Sequence, residues 1–204
     1  MKSIIKKLLK NIKKNKTNAI VVSGGETLKK TYNLFFREIL KKKIKLKIFL
    51  SDERCLPLND KNTNEIFFKK FKYINFQSIL KKKFSYKKTS DMYEKKITKT
   101  PNFVLLSVGS DGHIASIFKS SKALKSRKNI IFLNKNYRGF KRISITLKYL
   151  KNKKIYLFCK TRKRYNIFTR NMNQKDQVVY NLLKINPNVN LIYNNRIFKV
   201  KNKI

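Results

Sequence analysis

The chain has 204 residues, of which 52 are Lys or Arg and 10 are Asp or Glu, for a formal charge of +42. That length holds one sizeable core, so residues 1–204 are expected to form a single domain. Two cysteines, Cys55 and Cys159, are too few for a disulfide framework, no further ligands accompany them at metal spacing, and no apolar run approaches membrane-spanning length.

Apolar residues Ile4, Ile5, Leu8, Leu9 and Ile12 recur at helical spacing, which predicts an amphipathic helix from Lys2 to about Lys14. Ala19 to Val22 is short and β-branched, the pattern of a buried strand, and it ends on Ser23-Gly24-Gly25. From Thr27 a helix is expected, with Leu28, Tyr32, Phe35, Phe36, Ile39 and Leu40 on its inner side. Further strands are predicted at Lys47–Leu50, Phe103–Val108, Ile130–Leu133, Ile143–Thr146 and Ile155–Cys159. Helices are expected at Asn64–Phe71, Asp91–Ile97, Tyr165–Met172 and Gln177–Leu183, with a lysine-rich loop from Lys81 to Lys88. Asn190–Tyr193 and Ile197–Val200 read as a closing strand pair around Asn194-Asn195. The alternation defines an α/β class, a Rossmann-like and mostly parallel sheet with helices on both faces and short antiparallel C-terminal strands.

In an open α/β sheet, ligands bind beyond the carboxyl ends of the strands. Three polar segments fall there: Ser23-Gly24-Gly25-Glu26-Thr27, Ser51-Asp52-Glu53-Arg54 and Gly109-Ser110-Asp111-Gly112-His113. Four of the ten carboxylates, Glu26, Asp52, Glu53 and Asp111, lie in these turns. His113 is the only histidine, and imidazole is the one side chain that unperturbed takes up and returns a proton near neutrality. A glycine pair before a helix lets backbone N–H groups approach an anion, and Thr27 adds a hydroxyl donor. In isolation, each segment has a plain structural reading as a tight turn, a local ion pair or a hydrogen-bonded histidine.

Together they resemble the 6-phosphogluconolactonase family, within the superfamily that includes glucosamine-6-phosphate deaminases. The matching pieces are Ser23 to Thr27, then Leu50-Ser51-Asp52-Glu53-Arg54-Cys55-Leu56-Pro57 with Asn64 following, then Gly109 to Phe118. The deaminase branch continues after its glycine-histidine pair with a stretch carrying a catalytic glutamate, whereas here Ala115 leads into Ser116-Ile117-Phe118. Arg142 before Ile143-Ser144-Ile145-Thr146 resembles the family's arginine and threonine strand, and Arg164 falls where the family has a lysine. A family proline is replaced by Leu28, and a family proline-glycine pair by Lys119-Ser120.

The resemblance implies hydrolysis of 6-phospho-D-glucono-1,5-lactone without metal or cofactor. His113, Arg54 and Asp111 would be catalytic: His113 would move the proton, Arg54 would meet the developing negative charge or the substrate hydroxyls, and Asp111 or Glu53 would hold the imidazole tautomer. Gly24, Gly25, Thr27, Asp52, Glu53, Asn64, Arg142 and Arg164 would bind substrate.

The expected partner is a small sugar-phosphate lactone, with the protein cytoplasmic, free of membrane, and a monomer or homodimer. Lysines spread along the chain favour compositional drift over specific nucleic-acid binding, while leaving non-specific polyanion binding at low salt. The rival readings are a sugar-phosphate isomerase or deaminase, a basic nucleic-acid binder, and a pseudoenzyme.

Overall fold

The structure is a computed structural model and describes residues 1–12, 18–170 and 178–200. Its main sheet has seven strands. Six are parallel where they pair: β1 (Asn18–Val22), β2 (Leu46–Leu50), β4 (Asn75–Gln77), β5 (Phe103–Ser107), β8 (Ile155–Phe158) and β9 (Val189–Tyr193). The seventh, β10 (Arg196–Lys199), runs antiparallel to β9, in the order β10-β9-β8-β5-β1-β2-β4. The closing pair turns at Asn194 and Asn195, both with positive φ, the geometry of a two-residue hairpin loop.

The central strands are apolar on both faces because helices cover both. Ile20, Val21, Val22, Phe103, Val104 and Leu106 are wholly buried, each worth about 1.5–3 kcal/mol relative to exposure. Helix α1 (Lys2–Leu9) buries Ile4, Ile5 and Leu8, and α2 (Lys29–Lys41) buries Tyr32, Phe35, Phe36 and Ile39. Leu40, expected on the inner side of α2, is 51% exposed, because the apolar stripe has rotated past it in the last turn. The predicted end of the first helix at Lys14 lies outside the described residues, as do Met172 and Gln177.

A second, three-stranded antiparallel sheet takes two segments that the alternating pattern had suggested for the parallel one. It is formed by β3 (Asp52–Arg54), β7 (Phe140–Ile145) and β6 (Ile130–Tyr137), in that order. β6 and β7 join through Arg138-Gly139, with φ of 53° and 83°, which suits a tight hairpin turn. The chain passes from one sheet to the other at Ser51, whose N–H donates to Val22 O at 2.7 Å and whose carbonyl accepts from Ile145 N at 2.8 Å.

Among the helices, α3 (Glu65–Lys69) is shorter than expected. α4 (Tyr86–Lys96) starts five residues before Asp91, capped by Ser85, and so absorbs the end of the lysine-rich loop. α5 (Leu147–Leu150) is a single turn capped by Thr146, and α6 (Arg162–Arg170) and α7 (Val178–Ile185) precede β9. No helix among the described residues is long and apolar enough to cross a membrane.

Candidate active site

Because β5, β1 and β2 are parallel neighbours, their carboxyl ends meet at one edge. The glycine turn after β1 is therefore flanked by the Asp52 segment on one side and the histidine loop on the other. The cleft between them has a volume of about 260 Å³ and is lined by Ser23, Gly24, Gly25, Asp52, Arg54, Asn64, Ser107, His113, Ala115, Arg138, Phe140 and Arg142.

Strand alternation decides which groups of β3 and β7 face it. Asp52 pairs with Ser144 and Arg54 with Arg142, so their side chains share a face, while Glu53 opposite Ile143 points to the other. Glu53 is fully buried and accepts from the N–H groups of Arg54 at 2.7 Å, Asn64 at 2.8 Å and Glu65 at 2.8 Å. Burial pushes its carboxyl up to about 8, against the pull of those donors. It thus ties the start of α3 to β3 and holds Asn64 in place, rather than meeting the imidazole.

Asp52 is held by the hydroxyls of Ser51 at 2.8 Å and Ser116 at 2.6 Å, with Arg142 Nη1 3.9 Å away. Asn64 Nδ2 donates to its carbonyl at 3.0 Å. A Cβ on Gly24 would lie 2.2 Å from Asn64 Cγ, so this wall closes only around glycine. Arg142 is buried, its Nε donating to Tyr137 O at 3.2 Å; burial draws its guanidinium below the ordinary value, with Asp52 opposing. Arg54 Nε is buried without a hydrogen-bond partner among the described residues, while its Nη1 donates to Asn62 O.

The histidine loop closes on itself through Gly109 N to His113 O at 2.8 Å and Gly112 N to Gly109 O at 3.2 Å. The His113 ring folds back over Gly109, where a Cβ would come within 2.1 Å of Nδ1. Nδ1 is hydrogen-bonded to Asp111 Oδ1, and the ring lies against Phe118 at 4.6 Å between centroids. Burial pushes the Asp111 carboxyl up, but the hydrogen bond and charge of His113, then Arg138, outweigh this and hold it below its ordinary value. With Nδ1 occupied, Nε2 is the ring nitrogen left for the cleft.

Of the residues singled out from sequence, Gly24, Gly25, Asp52, Arg54, Asn64, His113 and Arg142 converge on the cleft. Asp111 stands behind the imidazole and Glu53 beneath the wall. Thr27 lies half-buried in the 3₁₀ turn Glu26–Leu28, and Arg164 in the first turn of α6, its N–H donating to Thr161 Oγ1 at 3.4 Å; neither lines the cleft. Sequence reasoning missed Arg138 and Phe140. Their signal was an arginine beside glycine between two strand patterns.

Taken together, these residues define an α/β protein with one histidine and three arginines lining a cleft at the carboxyl edge of an open sheet. Residues 1–189 match the family described as glucosamine-6-phosphate isomerases/6-phosphogluconolactonase, and the chain belongs to that family. A 6-phosphogluconolactonase of Borreliella burgdorferi is 32% identical over 90% of this chain and 86% of its own length. The fold matches a 6-phosphogluconolactonase from Thermotoga maritima, with a TM-score of 0.75 and 20% identity over 92% of this chain and 91% of that one. It also matches a monomeric glucosamine-6-phosphate deaminase, with a TM-score of 0.72 and 17% identity over 93% and 90% of the two chains. The architecture is therefore common to both branches, and the site residues must separate them.

Proposed function

We propose that this protein hydrolyses 6-phospho-D-glucono-1,5-lactone to 6-phosphogluconate in the cytoplasm, with His113 as the proton carrier. The observation that carries the reading is an imidazole whose Nδ1 is tied to Asp111 in a cleft also lined by Arg54, Arg138 and Arg142. The named activity of the Borreliella relative supports it.

In this reading Nε2 of His113 takes a proton from water as the water oxygen bonds to C1, and the C1 carbonyl becomes an oxyanion. Collapse of that intermediate breaks the bond from C1 to the ring oxygen, which receives the proton back from the imidazolium. Asp111 holds the tautomer that leaves Nε2 free. Arg54, whose guanidinium lines the cleft, meets the oxyanion. The 6-phosphate sits against the glycine turn of Gly24 and Gly25 with Arg142, charge-assisted bonds that fix the substrate. Asp52 and Asn64 frame the sugar. The chain's own residues supply every proton transfer in this scheme.

The deaminase alternative needs a carboxylic acid following the glycine-histidine pair. The glutamate of that stretch falls opposite Phe118, whose ring packs between His113 and Tyr137 and offers no acid to the cleft. The test is hydrolysis of freshly generated lactone, measured above its spontaneous rate. His113→Ala is expected to lower the catalysed rate by ~10²–10⁴-fold. Equal rates for the two proteins would remove His113 from the chemistry, and ammonia release from glucosamine 6-phosphate would restore the deaminase.

A further inference from the structure

Arg138 belongs to none of the motifs by which the family resemblance was read, yet several contacts lead to it. It sits at the tip of the β6–β7 hairpin, and that tip is fastened to the histidine loop. Tyr137 stacks on Phe118, with centroids 4.8 Å apart and planes 1° from parallel, and Phe118 in turn lies against the His113 ring. The Tyr137 hydroxyl donates to Ser120 O at 3.3 Å. Arg138 Nη2 lies 3.1 Å from Asp111 Oδ2 and 3.4 Å from Ser110 Oγ, while the other oxygen of the same carboxylate holds His113 Nδ1. One carboxylate is thus shared between a guanidinium and the imidazole.

We propose that Arg138 is a positioning residue for His113. It fixes the plane of the Asp111 carboxylate and offsets its charge, so that Asp111 orients the imidazole without holding it as imidazolium. The physical reason is a conflict in the pair itself. A bare carboxylate beside an imidazole favours the protonated ring, which has no lone pair left to accept a proton from water. A cation on the far oxygen reduces that bias while keeping the hydrogen bond. The role in turnover rests on the lactonase reading; the electrostatic role does not.

The other charges around the pair are Arg142 on β7, Asp52 and Arg54 on β3, and those of α6, whose Ile167 would stand 3.5 Å from a Cβ on Gly112 and which carries Arg162, Lys163 and Arg164. Asp52 is already engaged by Ser51, Ser116 and Arg142. Asp111 is therefore the carboxylate that acts on the ring directly.

Since His113 is the chain's only histidine, the imidazole signals of the untagged protein report one residue without assignment. In Arg138→Gln the His113 titration midpoint is expected to rise by about half a pH unit, whereas Arg138→Lys, which keeps the charge, stays close to wild type. The acid limb of kcat/KM for the lactone should move with the midpoint. A midpoint unmoved in Arg138→Gln, or moved equally in Arg138→Lys, overturns the proposal. If the midpoint moves as expected while wild type fails to hydrolyse the lactone, Arg138 keeps its role and the lactonase reading falls.

Discussion

The two sheets contribute to the cleft in different currencies. The seven-stranded sheet brings backbone: the Gly24-Gly25 turn and the self-closed loop that carries His113, both dependent on glycine to let neighbours approach. The three-stranded sheet brings charge, with Arg54 on β3, Arg142 on β7 and Arg138 at the hairpin tip. Of the 52 basic residues only nine are arginine, yet among the described residues every Lys or Arg lining the cleft is an arginine. A guanidinium presents a rigid fork of donors and is weakly hydrated, which suits a half-buried anion site; an ammonium is content in water. The composition that dominates the surface thus stops at the wall of the site.

That contrast can be broken most sharply at Arg54. Arg54→Met keeps a long stem against Phe140, on which the guanidinium now rests at 5.6 Å. It should lower kcat/KM by about 10- to 100-fold, the ~1.5–3 kcal/mol of a hydrogen bond to a charged group, with a fall of no more than a few degrees in melting temperature from the lost Nη1 bond to Asn62 O. A variant that melts early would mean that this sheet's charge also supports the fold.

On the other side, Gly24→Ala should act on stability first. The new methyl must displace the Asn64 side chain and its bond to the Asp52 carbonyl, at a cost of roughly 2 kcal/mol. Thermal denaturation of this variant beside Gly25→Ala checks the cause. A Cβ at Gly25 meets nothing within 4 Å but would sit at φ 91° and ψ 165°, a region left to glycine, so that variant should destabilise through backbone strain and leave the Asn64 bond intact.

A pH-dependent effect lies between the sheets, at Glu53. Its folded-state value is raised by burial to about 8, above an unfolded value of ~4.3. The folded state therefore binds this proton more tightly, and the stability it adds is complete below the unfolded value and lost as pH climbs towards 8. Melting temperature should decline by roughly 10 °C from pH 5 to pH 8, at about 1.4 kcal/mol per pH unit and ~2–4 °C per kcal/mol. In Glu53→Gln the slope should flatten whatever the absolute stability. An unchanged slope would assign the decline to other groups.

The sequence made the parallel core readable because β1, β5 and β8 are short continuous apolar runs between helical patterns. It hid β3, since Asp-Glu-Arg has no apolar alternation, and β4, since three residues of Asn-Phe-Gln carry no periodicity. The strands later found as β6 and β7 were visible, but their sheet was not: pairing with β3 brings together residues about 90 positions apart, and no local pattern encodes that. Motif context located Gly24, Asp52, Arg54 and His113. It assigned Glu53 and Asp111 alternative claims on the imidazole, and strand alternation resolves them by turning Glu53 away. Arg138 escaped notice because its significance lies in a hairpin tip folding onto another loop.

That no lysine lines the cleft among the described residues makes the molecule's charge chemically divisible. Amines react with acylating reagents under mild conditions and guanidinium groups do not. The exterior field could accordingly be neutralised residue by residue while the cleft keeps its own three charges, leaving electrostatic attraction of the substrate from a distance and its grip at contact separately adjustable.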